Sequence, residues 1–144
     1  MINKIYSKVN PSVLLHVIYT HEKSNEKTSV KKVYNLTEDE HNLQAMVFQM
    51  PAGTKSSPHK HNPQERKTSQ THEALLLLEG SVELSIYDID HSFVDKVVLN
   101  EGDCYVIING GHNINALTDV TFFEFKNGPY YGSEKDKTNI NQAD

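Results

Sequence analysis

The sequence predicts an all-β protein, an antiparallel sandwich or barrel, and three observations carry that expectation. Short apolar runs rich in strand formers recur along the chain. Glycine, proline, asparagine and aspartate punctuate them about every 8–12 residues, the spacing of small β domains. Almost nothing in the chain reads as helix.

Taken in order, Ser12–Tyr19 (SVLLHVIY) is the first apolar run and reads as a strand. His21–Lys32 is polar and charged and reads as a surface loop or exposed edge. Val33-Tyr34 is a short strand. Thr37–His41 fits either a helical turn capped by Thr37, with Glu40 at the capping-box position, or a plain loop. Leu43–Met50 alternates loosely and reads as a strand, and Pro51-Ala52-Gly53 is a turn. Asn62–Gln70 is polar, contains Pro63 and lacks periodicity, as an inserted loop would. Ala74–Leu78 is apolar throughout, like a strand covered on both faces. After the Glu79-Gly80 turn, Val82, Leu84 and Ile86 alternate with Glu83 and Ser85, a half-buried strand. Asp88–Asp90 turns the chain into a returning strand, Phe93–Leu99. Tyr105–Ile108 follows Glu101–Asp103. Ile114–Leu117 and Val120–Lys126 form an expected last hairpin, with its phenylalanines 122, 123 and 125 in the core. From Ser133 to 144 the tail is polar and loosely held.

A chain of 144 residues fits one domain, with a barrel core over about 43–127. The net charge of −5 gives no electrostatic case for nucleic acid or anionic lipid. The single cysteine, Cys104, cannot form an internal disulfide, which fits a reducing cytoplasm. With no base near it in sequence, it reads as a buried thiol rather than a nucleophile. No apolar run reaches the roughly 18–20 residues of a membrane helix. The first residues lack the apolar core of a signal peptide.

The chemistry concentrates in Pro58-His59-Lys60-His61, Thr71-His72-Glu73 and Gly110-Gly111-His112. On a strand, His59 and His61 share a face. Two imidazoles with a carboxylate on a neighbouring strand suit a borderline divalent metal. A lone His-x-His more often marks two surface histidines; its combination with Glu73 and His112 favours a metal. His72 competes with Glu73 for one position, and the two point opposite ways on a strand. A carboxylate facing an apolar barrel unpaired carries a heavy penalty, which a metal removes. Arg66, within the inserted loop, is either a clamp for a carboxylate or phosphate above the metal or a solvated side chain. His16, His21, His41 and His91 read as structural or solvated.

Gly53-x5-His59-x-His61, then Glu73-x6-Gly80, then Gly102 leading to His112, resembles the two-motif signature of the cupin superfamily over about Gln44–Lys126. The step from His61 to Glu73 is longer than in that signature. Ile108 stands where proline is usual, and His112 falls one residue early after Gly110. The resemblance implies a double-stranded β-helix (jelly-roll) barrel binding one divalent transition metal (Fe, Mn, Ni, Zn or Co) through His59, His61, Glu73 and His112. HxHNPxxR, xGGH and Gly128-Pro129-Tyr130 resemble small single-domain bacterial cupins found in surface-polysaccharide or nucleotide-sugar contexts.

Three functions remain open. One is a metal-dependent enzyme, such as an isomerase, epimerase or dioxygenase, on a small polar molecule such as a sugar derivative. The second is a metal-free sugar-nucleotide epimerase or ketoisomerase, which uses a histidine base and a tyrosine acid. The third is a non-catalytic binding module. Exposed edge strands invite pairing, and related cupins commonly dimerise, so a homodimer through Leu14–Tyr19 is expected.

Overall fold

The computed structural model describes residues 1–23 and 28–140. Its strands are β1 (Ile2–Tyr6), β2 (Leu14–Tyr19), β3 (Lys32–Asn35), β4 (Met46–Gln49), β5 (Glu73–Glu79), β6 (Ser81–Tyr87), β7 (Phe93–Asn100), β8 (Cys104–Ile107), β9 (Gly111–Ala116) and β10 (Thr121–Lys126). Among the described residues the only helix is one turn, α1 (Ser133–Asp136). The all-β expectation holds.

All pairings are antiparallel. One sheet has the order β1-β2-β8-β5-β10, a second has β7-β6-β9, and β3-β4 is a separate ribbon. Among the described residues no sheet closes on itself. The alternation in β6 sets the layering. Val82, Leu84 and Ile86 are buried together with Leu75, Leu77, Ile18, Tyr105 and Ile107, so the two larger sheets face each other across one core. The opposite face of the five-stranded sheet buries Val17, Ala74 and Val106 under Leu36, Leu43, Ala45 and Val47 of the ribbon and its flanks. β5 is therefore covered on both faces, as its unbroken apolar run requires.

Gly80 makes the corner where the chain leaves one sheet for the other. Its φ is +82°, and a Cβ there would run into the Asp119 carbonyl. A bulge shapes β2. Ile5 pairs with His16 but Tyr6 pairs with Leu14, so Leu15 is the extra residue. The pleat is reset there, and both Leu15 and His16 are fully buried.

Several expectations are corrected. β9 and β10 form no hairpin: β9 pairs with β6, and β10 pairs with β5 in the other sheet. Phe122, Phe123 and Phe125 are 37%, 55% and 52% exposed, because β10 is an edge strand. Of the two readings of Thr37–His41 the loop is the one found, and the Thr37 hydroxyl accepts from the Ala45 amide. β2 lies between β1 and β8 with both its edges used, so it cannot serve as a dimer edge. β1, whose polar residues Asn3 and Lys4 are adjacent, escapes the sequence pattern. In the tail, Asp136–Ile140 line a cleft rather than trailing free; 141–144 lie outside the described residues.

Candidate functional site

The core facing between the sheets is apolar except at one end, where a carboxylate and an imidazole meet. Glu73 opens β5 and pairs with Ile107 on β8, whose side chain belongs to the inner core, so Glu73 points inward with it. His112 lies opposite Ile86 on β9 and points inward for the same reason. The two sheets thereby place His112 Nε2 3.8 Å from Glu73 Oε2. Their neighbour His72 faces the other way, edge-on to His41 at 5.8 Å, buried, with Nδ1 lacking a hydrogen-bond partner. The choice of Glu73 over His72 as the inward residue holds.

Lys126 joins them from β10, where it pairs directly with Glu73; its Nζ is 3.8 Å from Glu73 Oε1 and 3.1 Å from Glu124. The inward carboxylate is thus not unpaired: Lys126 stands beside it as a cation. Burial pushes the His112 pKa down, Glu73 opposes this, and Lys137 adds to it.

Behind His112 lies a buried pair that the sequence reading did not single out. The Tyr105 ring stands edge-on to His112 at 6.3 Å and stacked on His16 at 5.2 Å. The Tyr105 hydroxyl is 2.8 Å from His16 Nδ1. Burial, reinforced by the charge of His112, takes the His16 pKa down to about 3, so its ring is neutral. Burial and then the charge of Glu73 raise that of Tyr105, which keeps its proton. The neutral phenol and the neutral imidazole share one hydrogen bond through Nδ1, and His16 Nε2 has no hydrogen-bond partner among the described residues. The only sequence signal for this pair was one histidine inside an apolar run.

A cleft of about 480 Å³ opens on Glu73 and His112, walled by Thr71, Tyr87, Asn113 and the tail residues Lys137–Ile140. Ile140 packs on Gly111, where a Cβ would displace it.

His59 and His61 do not join the pair. Residues 52–71 are exposed and lie outside any strand, so the two-residue spacing imposes no shared sheet face. Their rings lie 5.4 Å apart, and His59 Nδ1 is 3.0 Å from the Ser57 carbonyl. Arg66 is exposed on the same segment. Only its end is anchored: Gln70 donates to the Ile108 carbonyl at 2.8 Å and also meets Asn109, at the turn leading to His112. Among the described residues no three of His, Cys, Asp and Glu converge as a metal group. A carboxylate and an imidazole at this separation suit two ligands of one ion; the described structure supplies these two and holds the other two candidates apart. Cys104 is an unsuitable nucleophile, since burial and then the charge of Asp103 push its thiol to about 11.

Fold and site define an antiparallel β-sandwich protein with an inward carboxylate–imidazole pair at one end. Residues 17–99 match the domain of unknown function DUF6016, and the chain belongs to that family. The match takes in His59, His61, Arg66 and Glu73 and ends before His112. No curated protein and no solved structure matches the chain.

Proposed function

We propose that the Glu73–His112 end of the sandwich is a small-molecule pocket of cupin type, built on one divalent transition metal. The convergence of Glu73 and His112 from opposite sheets at the floor of an open cleft carries this reading. Two further features support it. β9, the strand that holds His112, has an open edge among the described residues. The His59–His61 segment is unpaired, close in sequence to Glu73, and of a length that can add to that edge. As a strand there it would turn both imidazoles to one face beside His112 and complete the jelly roll.

Glu73, His112, His59 and His61 would hold the metal. Bound, it would supply Lewis-acid chemistry on a substrate oxygen, or oxygen chemistry if it is iron. The chain's own residues do the rest. Lys126 sits beside Glu73 as its ion-pair partner, Tyr105 backs the His112 ring, and Lys137 gives the mouth a positive charge suited to a small polar or anionic molecule such as a sugar derivative. Arg66 is placed to reach the same molecule only if its segment folds over the mouth.

A second reading, a metal-free epimerase or ketoisomerase, draws on the histidine and tyrosine that do lie inside. Against it, the Tyr105 hydroxyl is engaged by His16 and Tyr105 is fully buried. Elemental analysis of protein purified without a histidine tag separates the two. About one equivalent of metal, lost in both Glu73→Ala and His59→Ala, is expected. Near-zero metal, with no thermal shift on adding Fe, Mn, Ni, Co or Zn, would falsify the metal centre and favour the metal-free reading.

A further inference from the structure

The surface that stands out elsewhere is β10. Its sequence, TFFEFK, holds three phenylalanines, yet it is the last strand of its sheet among the described residues. The rings of Phe123 and Phe125 meet at 5.9 Å, tilted by 32°, on the outer face, each more than half exposed. Phe48 and Leu78 nearby are also exposed. An edge strand normally carries charge, proline or a bulge against unwanted pairing. This one has a register shift at Thr121/Phe122 and carries Glu124 and Lys126, 3.1 Å apart on its inner face, but its outer face presents only aromatics, Phe123 and Phe125.

We propose that β10 pairs with β10 of a second copy, antiparallel about a two-fold axis, joining the two five-stranded sheets into one. The sequence specifies the register. Opposed residues in an antiparallel pair share a face, so the axis must pass through a residue and not between two. Centred on Glu124, the pairing sets glutamate against glutamate. Centred on Phe123, it sets Phe122 against Glu124. Centred on Phe125, it sets Glu124 of each copy against Lys126 of the other, twice, with Phe125 against Phe125 on the outer face. Only this last register places opposite charges across the seam and aromatics together. A surface complementary to itself is what a two-fold dimer requires. The seam also adjoins the pocket, because Lys126 is the cation beside Glu73. The occupant of this edge is therefore a second copy of this chain, not an unrelated peptide.

The test is a charge-reversal cycle read by sedimentation equilibrium at micromolar concentration, with circular dichroism confirming that each variant folds. Wild type is expected at twice 16.3 kDa. Glu124→Lys and Lys126→Glu, each alone, are expected to give monomers. The double variant E124K/K126E should restore the dimer, and Phe125→Lys, which brings two like charges together on the axis, should abolish it. A monomeric wild type would overturn the proposal, as it would if the edge is covered by the chain's own segment. A dimer that survives both single reversals and Phe125→Lys would overturn it too, by placing the interface elsewhere.

Discussion

Glu73 and His112 sit on strands of different sheets, yet their side-chain atoms Oε2 and Nε2 are 3.8 Å apart. Neither is near the other in sequence. The two inner faces of the sandwich bring them together at a cleft that is also walled by Thr71, Tyr87 and Asn113, where both side chains remain partly shielded from solvent.

Glu73→Gln keeps the shape and removes the charge. The Glu73 carboxylate raises the His112 pKa against the opposing effect of burial. The midpoint of His112 is therefore expected to fall in the variant, measured by NMR titration of its ring protons. An unchanged midpoint would mean that the two side chains stand apart in solution.

His16 makes stability depend on pH. Its pKa is about 3 folded and near 6.5 unfolded, so protons bind the unfolded chain more readily. The contribution is complete above the unfolded value and is lost as pH falls from there toward about 3. Each pH unit between the two values is worth about 1.4 kcal/mol. His16→Gln is expected to be less stable at neutral pH, because Tyr105 loses its buried hydrogen-bond and stacking partner, but to lose less on acidification. Tm measured against pH for both proteins checks this; parallel curves would refute it.

Asp88 is fully buried just past the end of β6 and ties the β1–β2 connection to the β6–β7 turn. Its carboxylate accepts from the amides of Lys8 at 2.6 Å and Ile89 at 2.8 Å. Burial pushes its pKa up, but hydrogen bonds from the Ser7 side chain and the Ile89, Lys8 and Val9 amides outweigh that and hold it low. This stabilisation is present above the unfolded value and is lost as pH falls through the lower folded one, below about 3.9. Asp88→Ala leaves those donors unmet and is expected to cost on the order of 1–3 kcal/mol in urea denaturation at neutral pH. A change within about 0.5 kcal/mol, as at a surface site, would contradict this role.

Gly110 sets the entry to β9. Its φ is +72°, and a Cβ would strike the Tyr87 carbonyl and crowd Leu15. Gly110→Ala is expected to lose more than about 1 kcal/mol of stability and to displace His112. Chemical denaturation and the His112 ring resonances report the two effects. Wild-type stability would show that the turn is not held in this conformation.

The strands were legible where the pattern is local. Val82, Leu84 and Ile86 announced a half-buried strand, and the uninterrupted Ala74–Leu78 run announced one covered on both faces. β1 was not legible, because INKIY shows little alternation and is held by its pairing with β2. Glu73 and His112, which the structure brings within 3.8 Å of each other, were singled out by motif spacing. Lys126 was missed because its role depends on the register of β10 against β5.

By itself the sequence determined which residues alternate between core and solvent, where the corners lie, and that the inward residue at the start of β5 is a carboxylate. These follow from neighbouring side chains and backbone preferences, which act over a few residues. Tertiary structure decided which strands pair, that β9 and β10 part into different sheets, that the Leu15 bulge turns His16 inward onto Tyr105, and that His59 and His61 gain no shared face. Parity along a chain becomes a direction in space only when a strand has a partner. The partner is chosen by burial and hydrogen bonding between segments far apart in sequence.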